Sequence, residues 1–412
     1  DRVRCAWRMG GSVGIKGDAA IVGIAEWKSE RHFSGTPMFS VEQWSELAAI
    51  ALADAGIDSR EVDGIVCAGD VRESWLFVPA TVAEYCGWQV NLAERMDLGG
   101  ASAVGAVWRA AAAIELGLCD VVVVAMPALP RPAPPQPEPF DARLYWGASS
   151  DAWGSPQAEF EIPYGNVAQN AGFASYATRY HETYGWDEWA RAKIAADQRV
   201  SACANPNAVF FGSPITVDQV LASRMIADPL RIFEIVMPCS GGAAIVVTSR
   251  GRASRTPHRP AFVTGFGEHI LHKTPTYTPD MTRTPIGPAA DLAFSMAGVA
   301  RADVDMVQLY DCYTITVLLS IEDSGFCGKG EGMAFVRDHD LSYRGDFPCN
   351  THGGQLGFGQ SGLAGGMSHV TEAVRQIQGR AGERQLTRHD VAYVSGTGGV
   401  MSEQTALILQ GG

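Results

Sequence analysis

No CxxC pair occurs among the nine cysteines of this 412-residue chain, and their spacing forms no regular framework. That excludes a disulfide-stapled scaffold; in a chain this long they read as reduced thiols, mostly buried small hydrophobes. Basic residues are scarce. Thirty-two Lys and Arg against 45 Asp and Glu leave a net charge of −13, which argues against a nucleic-acid or anionic-membrane surface but not against a local cationic pocket for an anionic substrate. The phosphate-cradling pattern GxxxxGK(S/T) is missing. Long apolar runs are missing too: Ala19–Ala25 is far too short to cross a bilayer, and no signal-peptide pattern precedes it. Residues 1–18 read as a flexible leader, and the protein as cytoplasmic.

What is present is a glycine- and apolar-rich chain, 46% hydrophobic with 46 glycines and 22 prolines. Tight turns and close backbone approaches follow from that composition, and the length fits roughly two or three domain-sized units. Ala20–Ala25, Val62–Ala68 and Val121–Ala125 read as buried strands, the last apolar at every position. Val41–Leu52 and Ala101–Leu116 carry helical periodicity between them. Continuous apolar strands alternating with helices predict a parallel or mixed sheet covered on both faces. Pro127–Pro139 breaks the pattern. One helix, Trp186–Ala204, is legible before strand character returns at Ala243–Thr248. An insertion of that length is more often functional than filler.

The second half echoes the first. Ala55-Gly56-Ile57 leading to Val62-Asp63 recurs as Ala297-Gly298-Val299 leading to Val304-Asp305. Gly99-Gly100, a helix and Cys119-Asp120 recur as Gly353-Gly354, a helix and His389-Asp390. Two matches in the same order indicate a duplicated α/β unit.

Several segments then resemble the thiolase superfamily, in its sterol-carrier-protein type: Gly117–Ala125, Asn205–Arg231 with Cys239–Ser249, Leu309–Gly332, and Pro348–Gly366. The resemblance covers about residues 19–412. It implies duplicated βαβαβαββ halves in a five-layered α-β-α-β-α sandwich. The N-terminal half is 19–126 plus 232–255, a loop domain is inserted at 127–231, and the C-terminal half is 256–412. A homodimer is implied as well, with CoA held against the loop domain.

A thiolase needs a cysteine thiolate at a helix N-terminus, a histidine to activate it, a second acid/base and an oxyanion hole. Carried onto this chain, the nucleophile falls on Gly100, with Ser102 two positions on as a helix-start cap. The Gly-His-Pro histidine falls on Gln360, the second cysteine on the cysteine-free loop Ser395–Gly399, and the asparagine-loop residue on Tyr310. Tyr310, as a hydrogen-bond donor or as a base of lowered pKa, and His352, as an acid/base, are the catalytic candidates. Asp311, Cys312, Cys349, Asn350 and Gly353 line the site, with Asp311 orienting a loop and the two cysteines as outside candidates for a relocated nucleophile. Cys349 with His352 is one pair without further ligands and implies no metal. Arg191, Lys193, Arg199 and Arg224 are the candidate CoA-phosphate contacts, and Tyr164 a wall of the acyl tunnel.

Three functions stay open. Steroid side-chain aldolases of the superfamily lack the cysteine, cleave a β-hydroxyacyl-CoA and work with a small OB-fold/zinc-ribbon partner. Their tyrosine fits Tyr310, but their second one would fall on Gln360. The favoured reading is therefore an enzyme making or breaking a C–C bond in a CoA thioester by non-covalent retro-aldol chemistry, with no tightly bound cofactor. An acyltransferase with a relocated cysteine and a non-catalytic acyl-CoA-binding subunit are the alternatives.

Overall fold

The computed structural model describes residues 14–68, 77–133, 154–166 and 169–412. Most of the expected leader and part of the proline-rich break lie outside the described residues. Eleven strands are described: β1 (Ala19–Glu30), β2 (Gly64–Ala68), β3 (Leu92–Met96), β4 (Val121–Ala128), β5 (Met225–Ala227), β6 (Leu230–Arg231), β7 (Ser240–Ser249), β8 (Ala261–Ile270), β9 (Met306–Gln308), β10 (Val391–Gly398) and β11 (Glu403–Gly411). Nine of them form one sheet in the order β3-β2-β4-β7-β1-β8-β11-β10-β9. Its two halves join only where Ala20 and Ile21 of β1 meet Phe262 and Ala261 of β8.

The all-apolar strands are explained by where their alternate residues go. Val121, Val123 and Ala125 of β4 enter one core with Trp44, Leu47 and Val82 from helices α1 (Ser40–Ala55) and α2 (Val78–Cys86). Val122, Val124 and Met126 enter another. That second core holds α3 (Ser102–Glu115) and the Ala364–Ile377 helix between the two sheet halves. From the far side, Ala392 and Val394 of β10 enter the same core, while Tyr393 faces a third core built on the Ile286–Ala297 and Thr314–Asp323 helices. Helix, sheet, helix, sheet, helix: the layering is the expected five-layered sandwich, because strands buried on both faces need a helical layer on each.

The duplication extends to single hydrogen bonds. The Asp63 carboxylate accepts from the backbone N–H of Asp120 (2.9 Å) and Val121 (2.9 Å), tying β2 to the start of β4. Asp305 does the same for Asp390 (2.8 Å) and Val391 (3.0 Å) at the start of β10. One part of the expected repeat is corrected. Gly353-Gly354 opens only the four-residue helix Gly354–Gly357, and the counterpart of α3 in the central layer begins later, at Ala364. Ser395–Gly399 is also no loop, since residues 395–398 finish β10.

Between β4 and β7 the chain places two long helices, Gln169–Tyr184 and Glu188–Cys203. The first was not legible because tyrosines carry its apolar stripe: Phe173, Tyr176, Ala177 and Tyr180 are all buried. Its first turn reaches the site, where Phe173 stacks on Tyr313 at 4.1 Å and Tyr313 donates to Asn170 Oδ1 (2.6 Å).

Candidate active site

Two loops build the site, and one side chain stitches them together. Asn350, held at φ 53°, accepts from the Leu309 N–H (2.7 Å) and donates to the Leu309 carbonyl (2.9 Å). Its polar atoms are thus used on backbone, which gives it a bracing role. Asp311 orients the second loop, accepting from the N–H groups of Gln355 (2.8 Å) and Leu356 (3.0 Å) at the start of the Gly354–Gly357 helix. A Cβ at Gly354 would press into the Asp311 carboxylate, and Gly354 also sits at φ 60°, so glycine is required there twice over. Gly353, at φ 112°, packs on Ala202.

Tyr310 follows β9, and its backbone N–H donates to Ser395 Oγ (3.2 Å). Its side chain is buried, and its hydroxyl occupies the space that a side chain at position 100 would need. A Cβ on Gly100 would lie less than 3.0 Å from the Tyr310 hydroxyl, its ring carbon and the Thr397 carbonyl oxygen. Burial, and next the neighbouring Cys312, push the phenol well above its ordinary value, while hydrogen bonds from Gln360 and Gln355 only partly offset them. This corrects the expectation of a lowered pKa: Tyr310 is a neutral hydrogen-bond donor, not a resident phenolate.

Two histidines stand behind it, one of which sequence reasoning missed. His352 is fully buried, with Nε2 3.3 Å from Ser368 Oγ and Nδ1 without a partner. Burial, then the ring of His369, hold His352 far below the usual histidine value, so it is a neutral imidazole. His369, on the Ala364–Ile377 helix, packs edge-on against His352 at 5.0 Å between ring centroids and lies 6.1 Å from the Tyr310 ring. Its Nε2 is 3.1 Å from Asp311 Oδ1, with both side chains fully buried. His369 and Gln355 carry no local motif. The one available signal was a set of polar residues, Ser368, His369, Thr371, Glu372 and Gln376, along a helix whose apolar residues are buried.

Neither cysteine candidate is placed for nucleophilic work. Burial, then Asp311, drive both the Cys312 and Cys349 thiols upward, away from the thiolate that attack requires. Ser102 is buried and accepts from the Leu98 N–H (2.8 Å), bracing the turn before α3 rather than capping the helix itself.

The cation assignments change most. Arg191 is fully buried and donates to Glu234 Oε1 (2.8 Å) and the Pro229 carbonyl (3.0 Å), so it is an internal strut and not a phosphate contact. Lys193 pairs with Asp197 and donates to the His339 carbonyl (2.7 Å). Arg199 lies over the Phe210 ring at 3.6 Å, donates to the Ser213 carbonyl (3.1 Å), and is lowered to about 10 by burial. Of the four, Arg224 alone is exposed. Tyr164 stands 87% exposed on a surface turn and walls no enclosed tunnel.

With this geometry in hand, comparison with known proteins is informative. Residues 267–411 match the thiolase C-terminal domain-like family. A steroid side-chain-cleaving aldolase of Thermomonospora curvata is 31% identical over 93% of this chain and 96% of its own. A 17-hydroxy-3-oxo-4-pregnene-20-carboxyl-CoA lyase of Mycobacterium tuberculosis is likewise 31% identical, over 93% of this chain and 97% of its own. The solved structure of the Ltp2-ChsH2(DUF35) aldolase superposes with a TM-score of 0.84 at 30% identity, covering 97% of this chain and 99% of that one.

Proposed function

Since the chain belongs to the thiolase superfamily, in the family of the steroid side-chain-cleaving aldolases, we propose that it breaks the Cα–Cβ bond of a β-hydroxyacyl-CoA by a non-covalent retro-aldol reaction. The observation that carries this reading is the filling of the nucleophile's place: the Tyr310 hydroxyl excludes any side chain at position 100. In the reaction the β-hydroxyl gives up its proton, and the Cα–Cβ electrons pass into the thioester carbonyl. A ketone or aldehyde leaves, and the thioester enolate takes a proton at its α-carbon to give a shortened acyl-CoA. Charge develops on the thioester oxygen, so a preorganised neutral donor is what the step needs. Tyr310 supplies it, with the Gln360 and Gln355 side chains beside its hydroxyl. The protons are handled by the buried ring pair His352 and His369. No resident cofactor enters the reaction as written; the CoA thioester is the substrate.

The same reading divides the chain at 19–126 plus 232–255, 127–231 and 256–412, with the middle segment holding CoA and Arg224 as its exposed cation. The acyl group is a steroid side chain, by the names of the two relatives. The chain forms a homodimer, joined by a small OB-fold/zinc-ribbon subunit, as the two-component composition of the Ltp2-ChsH2(DUF35) aldolase suggests. Its eight described cysteines are free, as a reducing cytoplasm would leave them.

The deciding experiment is turnover of 17-hydroxy-3-oxo-4-pregnene-20-carboxyl-CoA, following the ketone and the shortened acyl-CoA by mass spectrometry. Tyr310→Phe removes one donor and is expected to lower kcat about 100- to 1,000-fold, with a much smaller change in KM. Unchanged turnover in Tyr310→Phe would remove the site assignment. An acyl adduct trapped on Cys312 or Cys349 in the intact mass would instead establish the relocated-cysteine chemistry.

A further inference from the structure

His352 and His369 do not have equal claims on the reaction's proton, and their partners separate them. Asp311 accepts from two backbone N–H groups, one on each carboxylate oxygen, and the third donor it faces is His369 Nε2. The His369 proton therefore sits on Nε2, and Nδ1 is a bare lone pair, buried and without a partner. An unpaired polar atom in the interior is costly to keep and calls for a reason. His352 differs. The Ser368 hydroxyl donates to the Gly365 carbonyl (2.7 Å), so it receives the His352 Nε2–H, and no carboxylate touches the ring. A proton arriving on His352 would face only Glu372, already paired with Arg375 and Arg384, whereas one arriving on His369 would sit against Asp311. The Gln355 side-chain amide lies 3.4 Å from the same Nε2, and with the proton there it is the amide oxygen that faces His369.

Building on the retro-aldol reading, we propose that His369, held by Asp311, is the proton carrier of the cleavage. Nδ1 takes the β-hydroxyl proton as the Cα–Cβ bond breaks, the imidazolium rests against the Asp311 carboxylate, and the same proton passes to the α-carbon of the enolate. One proton leaves oxygen and one arrives on carbon, so no co-reactant is needed. The charged and titratable groups facing the ring are few. The loop after β9 brings Tyr310 and Asp311, and the glycine-rich loop brings His352. Beyond His352 lie Glu372 and Arg375 of the same helix, Arg384 of the following turn, and Glu26 of β1, paired with Arg375. The carboxylates and guanidinium groups of this outer set are paired with one another, leaving Asp311 as the counter-ion of His369.

The last step run backwards is enolisation of an acyl-CoA, and it needs no ketone partner. It is read by exchange of the α-protons of propanoyl-CoA in D2O, followed by NMR on the purified full-length assembly. His369→Gln is expected to lose exchange by about 100-fold or more, and its residual rate to lose the acid limb of the wild-type pH profile. Melting temperature and calorimetric propanoyl-CoA binding should stay at wild-type values. Asp311→Asn, which keeps an acceptor for one of the two backbone N–H groups, should move the acid limb to lower pH by removing the counter-ion. Wild-type exchange rate and profile in His369→Gln would overturn the proposal while leaving the retro-aldol reading standing. No exchange in the wild type would sink the retro-aldol reading itself. Should His369→Gln not fold, a wild-type rate that is flat from about pH 5 to 8 overturns the assignment.

Discussion

At position 100 the phenol of Tyr310 and any side chain compete for one volume, and the Thr397 carbonyl closes it from the other side. Gly100→Ala should therefore destabilise the fold by about 1–3 kcal/mol, the usual cost of overpacking, measured by urea unfolding. It should also depress turnover by displacing the Tyr310 hydroxyl. A variant with wild-type stability and turnover would show that the phenol moves freely and does not define the site. The absence of the nucleophilic cysteine was readable only through the resemblance, which lays that position on Gly100. Its physical consequence was not, because Gly100 and Tyr310 are 210 positions apart and meet only through the packing of α3 against the loop after β9. The cation candidates failed for a related reason. Arg191 and Lys193 sit on a helix that sequence reads as half-solvated, but the Glu188–Cys203 helix is covered along most of its length, and both cations turn inward to partners.

Among the elements, the Ala364–Ile377 helix does the most. It lies between the two sheet halves, carries Ser368 and His369, and encloses a buried ion network. Burial alone would raise Glu372, yet Arg384 and then Arg375 hold it at about 2. Thr351, next to His352, donates to the same carboxylate (2.8 Å). Because Glu372 is depressed from its ordinary value of 4.5, its contribution is present above that pH and fades as pH falls towards about 2. Glu372→Gln leaves Arg375 and Arg384 short of a buried counter-charge and should cost about 3–5 kcal/mol at neutral pH, with a flatter loss of stability in acid. Equal stability of wild type and variant across that range would contradict the burial of the pair. His352 works in the opposite sense to a stabilising histidine. Its imidazole is held neutral, so stability should begin to fall once pH drops below the ordinary histidine value of 6.5. His352→Gln should remove that part of the acid sensitivity, seen as a smaller change in unfolding midpoint between about pH 7 and 5.

For the molecule as a whole, two copies of one α/β unit share a single nine-stranded sheet, and the site forms where loops of the second copy meet α3 of the first. No helix among the described residues is long and apolar enough to cross a membrane. Co-expression with a small OB-fold/zinc-ribbon subunit should give a complex that light scattering reads as two chains of each kind. That complex should turn over faster than the chain alone. A single chain with full activity would exclude the partner. The continuous apolar run of β4, the turn glycines and the paired Asp63 and Asp305 signals were enough for the sequence to determine a sheet covered on both faces and the duplication, because these are periodic and local; the five layers were implied by the resemblance. The missing cysteine came from the resemblance, which lays the nucleophile's position on Gly100. The tertiary structure alone decided that Tyr310 fills the vacated place, that Arg191 and Lys193 are struts, and that Asp311 and His369 meet. Each depends on which atoms come within bonding distance between residues far apart in the chain, from Arg191 and Glu234, 43 positions apart, to Gly100 and Tyr310, and on what burial then does to their charge.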